Sequence, residues 1–133
     1  MLSTLTAITI TLGSLHVEHD GSVSDRYEDA NPGVLLHVPA APRVEAIVGA
    51  YANSKKRTSA LAGARYSLAS AGPFEVSASA GLVTGYRSGA RPMLFAAIGF
   101  SVHVDRDVSL NATFVPGVGE SAHAVNFSTT WRW

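Results

Sequence analysis

The chain has no cysteine. That excludes a disulfide framework, a zinc–thiolate site and a thiol nucleophile. It is short of charge. Asp, Glu, Lys and Arg make up only 15% of residues, against the roughly 25% of an ordinary soluble domain. Positive and negative side chains balance at ten each, so no bulk field draws the protein toward nucleic acid or anionic surfaces. Lysine occurs only at Lys55 and Lys56, although a wet sheet face ordinarily carries Lys and Glu repeatedly. No apolar run approaches the 18 or so residues of a membrane helix. The first dozen residues alternate Thr with apolar side chains and lack a basic start and a cleavage site, so they read as a strand rather than a signal peptide. If the protein is exported, the expectation is that this sequence begins after its signal. The 133 residues suffice for one domain, 1–133.

What is present is alternation. Val125, Phe127, Thr129, Trp131 and Trp133 share one parity, and Asn126, Ser128, Thr130 and Arg132 the other. Period two marks a strand with one apolar and one polar face. The pattern recurs about eight times, at roughly 4–17, 33–38, 43–53, 58–68, 74–85, 93–103, 107–115 and 123–133, bounds good to about ±2–4 residues. In the first strand the phase slips at Gly13, which predicts a β-bulge. The connections alternate strictly. Those at 18–32, 54–57, 86–92 and 116–122 are long or polar, whereas Pro39–Pro42, Ala69–Pro73 and His103–Asp107 are tight. A meander then gathers all long loops at one rim. The predicted fold is all-β: a single antiparallel, eight-stranded, up-and-down β-barrel.

The second parity is small and polar, with about one charge per strand: Glu45, Arg65, Glu75 and Arg132. These four are expected inside, where buried charges must pair. The apolar parity would then face lipid, with Trp131 and Trp133 in an interfacial girdle. The rival is a soluble barrel with the apolar parity inside. So many alanines there, Ala46, Ala50, Ala60, Ala62, Ala64, Ala78, Ala80, Ala96 and Ala112, would leave a cavity for a hydrophobic small molecule. A lipid face, for its part, usually carries bulkier residues.

The long-loop rim should gather His16, Asp29, Asn31, Tyr51, Asn53, Ser54, Thr84 and Tyr86. Ser14 and His16 share a face if the bulge precedes Ser14. A hydroxyl from Ser14 or Ser54, the His16 imidazole and the Asp29 carboxylate could then act as nucleophile, base and orienter. Asn31, Tyr51, Asn53, Thr84 and Tyr86 are the ligand-binding candidates. The plainer expectation is a hydrogen-bonded plug that closes the mouth, since no nucleophile elbow is present. No metal site is expected. His16, His19, Asp20 and Asp25 lack the spacing of a calcium loop, and no cofactor motif occurs, because Gly117-Val-Gly119 precedes no helix. The acidic first loop (Glu18, Asp20, Asp25, Glu28, Asp29) should meet Lys55, Lys56, Arg57, Arg87 and Arg91 in ion pairs, unless the cations take phosphorylated head groups. His37, His103 and His123 carry no functional signal at this stage.

Several rim residues fall into motifs: His16, Tyr27-Glu28-Asp29-Ala30-Asn31-Pro32-Gly33, Gly49-Ala50-Tyr51-Ala52-Asn53-Ser54, Gly81-Leu82-Val83-Thr84-Gly85-Tyr86, and Pro92. In this the chain resembles a family of small proteins of Gram-negative bacteria and their phages. The family pattern has Asn-Glu where this chain has Glu28-Asp29. The resemblance covers most of the chain and brings no established activity with it. Outer-membrane lipid A palmitoyltransferases and deacylases are likewise small eight-stranded barrels with rim active sites, an analogy of fold alone.

Three functional expectations follow. The first is a small outer-membrane-type barrel whose long-loop rim binds a ligand or partner. The second is an acyl hydrolase or transferase acting on lipid or lipopolysaccharide with His16 as base, although no spacing demands catalysis. The third is a soluble, phage-type barrel carrying a hydrophobic ligand. The expected partner is lipid or membrane, not nucleic acid.

Overall fold

A computed structural model describes residues 5–24, 29–86, 91–117 and 122–133. Eight strands follow one another: β1 (Ala7–Val17), β2 (Ala30–Ala41), β3 (Val44–Ala52), β4 (Thr58–Ala71), β5 (Phe74–Val83), β6 (Met93–His103), β7 (Val108–Val115) and β8 (His123–Arg132). Each pairs antiparallel with the next, and β8 returns to β1, closing the barrel. Closure runs from Ala7–Arg132 to Val17–His123, and the Trp133 amide extends it by donating to Thr6 O at 3.3 Å. A closed barrel leaves no strand edge unpaired.

The bulge lies where the phase slip placed it. Against β8 the pairing jumps from Thr11–Ser128 to Gly13–Phe127, so Leu12 is the extra residue. It turns Ser14 and His16 inward, and both are buried.

The second strand is longer than its sequence indicated, running through Pro32 and Pro39. A proline lacks the amide donor that a ladder needs, which argues for a strand end. Here Pro32 faces outward and Pro39, opposite Glu45, faces the tight-turn mouth of the lumen, each beside an irregularity. Pairing with β1 shifts between Thr11–Gly33 and Gly13–Ala30, and pairing with β3 shifts between Pro39–Glu45 and Ala41–Val44. A bulge suspends the ladder locally and tolerates the missing donor. The first tight turn is therefore Pro42-Arg43, not Pro39–Pro42, and the second narrows to Gly72-Pro73 because β4 runs on to Ala71.

The alternation resolves with the apolar parity outside. Leu94 is 79% exposed and Trp131 and Trp133 are each 62% exposed. Among the described residues, twelve buried side chains are polar and only five hydrophobic, the reverse of a water-soluble core. The inverted arrangement, with a cavity for a hydrophobic molecule lined by the alanines, is not the one adopted. Ala46, Ala60, Ala64, Ala80 and Ala96 are all exposed on the outer face.

Inward positions must fit a narrow tube, which explains the glycines there. Gly63 pairs directly with Gly81. A Cβ on Gly81 would lie 2.5 Å from Gly63 Cα and 2.3 Å from Ala62 O. Glycine here lets β4 and β5 bend together, as small barrels require.

The four lumenal charges pair as expected. Glu45 accepts from Arg132 Nη1 at 2.5 Å and from Arg65 Nη1 at 3.3 Å, and Arg65 Nη2 also donates to Glu75. Ser67 Oγ adds a bond to Glu75 at 3.2 Å. His37, set aside in the sequence, belongs to the same layer. Its Nδ1 lies 3.3 Å from Glu45 Oε2 and its Nε2 2.7 Å from Thr9 Oγ1. Thr9 bonds Thr130 at 2.6 Å, and Asn111 Nδ2 donates to Thr130 Oγ1 at 2.8 Å. Ser101 donates to Asn111 Oδ1 at 2.8 Å. All eight strands thus contribute to one polar layer across the lumen, on the tight-turn side.

Candidate functional site

The opposite rim holds the sequence candidates. The end of β1, the start of β2, the end of β3 and the exit of β5 meet there because each borders a long connection. This brings His16, Asn31, Tyr51, Asn53, Thr84 and Tyr86 to one mouth.

Asn31 stitches three strands at the bulge. Its Oδ1 accepts from Ser14 Oγ, its Nδ2 donates to Ala52 O at 3.1 Å, and its backbone carbonyl accepts from Thr11 Oγ1 at 2.6 Å. The Ser14 hydroxyl is thereby directed to Asn31 and not to the His16 ring. Asp29 meets Ser14 through its backbone, its carbonyl accepting the Ser14 amide at 2.8 Å, and the residue is exposed. Ser54 lies half-buried in the β3–β4 turn. The two serines, His16 and Asp29 are thus at one rim, with Ser14 bonded into the strand-end scaffold.

Asn53 is only 1% exposed, and its carboxamide is used to capacity. Oδ1 accepts the amides of Lys55 at 2.9 Å and Arg57 at 3.1 Å. Nδ2 donates to Ser59 Oγ at 2.9 Å and Gly85 O at 3.1 Å. Two acceptor and two donor bonds are all that a carboxamide ordinarily makes. Asn53 therefore folds the Lys55–Lys56–Arg57 turn and ties it to the strand that follows. Two residues that sequence reasoning passed over complete this joint. Ser59 is fully buried. Gly85 has φ +89, and a Cβ there would stand 2.7 Å from Ser59 Oγ and 2.8 Å from Asn53 Nδ2. The Thr84-Gly85-Tyr86 motif was the available signal for Gly85.

Tyr51 and Tyr86 join hydroxyl to hydroxyl at 2.8 Å across the mouth. Burial pushes the Tyr86 phenol well above the ordinary tyrosine range, and Tyr51 beside it adds to the shift. Both stay protonated at neutral pH, so one donates and the other accepts. Thr84 extends the β4–β5 ladder: its Oγ1 accepts the Ala60 amide at 3.0 Å, and its own amide donates to Ala60 O at 2.9 Å.

His123 also has a part at this rim. Its Nδ1 accepts the Gly117 amide at 2.9 Å, and its ring contacts His19 edge-on at 4.5 Å and Phe114 at 5.5 Å. Among the described residues no three potential metal ligands cluster. Tyr27, Glu28, Asp25 and Arg87 lie outside the described residues.

No protein-family model matches this chain, and no curated protein matches it. Solved structures do. A chain from "De novo design of transmembrane beta-barrels" matches over 100% of both chains at 16% identity and TM-score 0.66. The designed barrel TMB2.3 matches over 99% of this chain and 98% of its own at 14% identity and TM-score 0.65. Neisserial surface protein A matches over 97% of each chain at 15% identity and TM-score 0.48. At these identities the first two establish the fold, a closed eight-stranded antiparallel barrel.

Proposed function

We propose that the protein is a transmembrane β-barrel of outer-membrane type, with its apolar outer face in hydrocarbon and its long-loop rim as the surface that binds a ligand or partner. One observation carries the first part. Among the described residues nineteen large hydrophobic side chains are exposed, all but Val23 and Val104 on or beside the outer face of the strands, over a lumen filled by paired charges and hydroxyls. Burying a large apolar side chain is worth about 1.5–3 kcal/mol, and soluble monomers rarely expose contiguous patches beyond a few hundred Å². Hydrocarbon is the solvent that suits this face. Trp131, Trp133, Tyr66, Phe74 and Phe100 are exposed toward the tight-turn rim, where an interfacial aromatic girdle belongs. Tight turns at one end and longer loops at the other follow the layout of outer-membrane barrels.

For the rim, the support is architectural. Hydrogen bonds of Asn31, Asn53, Tyr51 and Tyr86 pin the loop bases, so the loops stand on a rigid frame. Function is commonly carried by loops held on such scaffolds. The hydroxyl of Ser14, committed to Asn31, favours binding over acyl transfer.

The test is insertion. Refolded into phosphatidylcholine vesicles, the protein should run on a gel with a mobility that changes on boiling. Its two tryptophans should be quenched more by bromines near the head group than by bromines near the chain terminus. A protein that is folded and monodisperse without detergent, and unquenched by either lipid, would overturn the reading.

A further inference from the structure

A cavity of about 260 Å³ opens at the tight-turn end of the lumen. Its polar walls come from Arg43, Glu45, Arg65, Ser67, Glu75 and Arg132. Among the described residues that sets three guanidiniums against two carboxylates. The acids of the β6–β7 turn, Asp105 and Asp107, are not among the walls.

The way these charges are engaged decides what the cavity presents to solvent. Arg132 Nη1 donates to Glu45 Oε1 at 2.5 Å, and Arg65 Nη1 and Arg132 Nη2 donate to Oε2, each at 3.3 Å. His37 Nδ1 faces the same Oε2 from below. Glu75 accepts from Arg65 on one oxygen and from the Ser67 hydroxyl on the other. The carboxylates are therefore covered. The Glu45 side chain is 16% exposed and that of Glu75 18%, against 32% for Arg132. A guanidinium has five N–H donors. Arg65 and Arg132 give only part of theirs to the carboxylates, and the rest meet no protein acceptor among the described residues.

Arg43 is the cation in excess. It pairs with no carboxylate among the described residues: its Nη2 donates to Leu68 O, and its guanidinium lies 5.3 Å from the centroid of the Tyr66 ring. It is exposed at the edge of the mouth, with donors to spare. A cleft that presents one sign of charge focuses the field on an entering counter-ion. The planar fork of a guanidinium matches an oxyanion with two parallel bonds, which a spherical halide cannot use.

We propose that the tight-turn mouth binds one small oxyanion of the phosphate class, held by Arg132 and Arg43 with Arg65 behind them. The site is independent of what covers the outer face, because Arg65 and Arg132 project inside the ring of strands. A free phosphate and a lipid head group offer the same chemistry, and the inward direction of these two side chains favours the free anion.

The experiment is calorimetric titration of inorganic phosphate into the protein folded in dodecyl maltoside micelles, which carry no phosphate, at fixed ionic strength. Boiling-dependent gel mobility reports the folding of each variant. The parent should bind one phosphate saturably and chloride far more weakly. Arg43→Gly suits the left-handed backbone of its turn, φ +65, and should fold normally. Its affinity should fall roughly tenfold, the loss expected of one charge-assisted hydrogen bond. Glu75→Gln removes a negative charge from the wall and should tighten binding, a gain that a purely structural role for the layer would not produce. A folded parent with no saturable phosphate binding would overturn the proposal. So would an affinity unchanged in both variants, or chloride binding as tight as phosphate. Repetition in phosphatidylglycerol nanodiscs decides the source. Phosphate affinity retained there supports a free anion. Phosphate binding lost there, with one phosphatidylglycerol held in native mass spectra, supports the site with a head group in it.

Discussion

Arg65→Met should destabilise the inserted barrel by about 3–5 kcal/mol, the cost of leaving a buried charge without its partner. The arginine bridges two carboxylates, Glu45 and Glu75. Glu45 would keep Arg132 and His37, so it is not the side chain that suffers. Among the described residues Glu75 would keep as a hydrogen-bond partner only the Ser67 hydroxyl at 3.2 Å, with Arg132 acting on it through charge alone. The layer would fall from two arginines against two carboxylates to one against two. The three side chains are 16–18% exposed, so water in the tight-turn mouth reaches them and the effect should sit toward the lower end of the range. Replacing both partners removes the orphan. Arg65→Met/Glu75→Gln should therefore recover most of the loss, and the two residues should couple by roughly 0.5–3 kcal/mol in a double-mutant cycle. The assay is urea unfolding in phosphatidylcholine vesicles, followed by tryptophan fluorescence and by gel mobility. If Arg65→Met unfolds at the parent's midpoint, or the double variant is less stable than the single, the account of the lumen fails.

Two further outcomes follow from the opposite mouth. Asn53→Asp keeps the shape but turns the two donors facing Ser59 Oγ and Gly85 O into acceptors, and should cost about 1–3 kcal/mol for each group left unsatisfied. Urea midpoints would show this, and an unchanged midpoint would mean that Asn53 does not hold the turn. Alkali should act through Tyr86. Its phenol is raised by burial and by Tyr51, so from about pH 10, the unfolded tyrosine value, the unfolded chain releases the proton first and stability falls as pH rises. Tyr86→Phe should flatten that slope in urea titrations between neutral and alkaline pH.

Proline misread the second strand. Its missing donor ends a strand in an open sheet, yet here register shifts against both neighbours absorb it, and those shifts are pairing events between separate strands. The same holds for His37. Along the chain it is one histidine near a turn. In the barrel its ring lies between Thr9, 28 residues away, and Glu45. The slip at Gly13 puts Ser14 and His16 on one face, and closure of the barrel makes that face the inward one. The bulge nonetheless set the Ser14 hydroxyl against Asn31 on β2, a partner that no spacing within β1 announces.

By itself the sequence determined the eight strands, the antiparallel meander and the shared face of Glu45, Arg65, Glu75 and Arg132; which face turns inward it left open. Each follows from a period of two and from what a charge or a methyl group requires of its surroundings. Only the tertiary structure decided which side chains meet. Register between neighbouring strands put Ala64 beside Ala80 and Ala96. Closure of β8 on β1 brought Arg132 to Glu45, 87 residues away. Such pairings are set by the tilt and stagger of a closed sheet, which couple positions that are remote along the chain and carry no local signal.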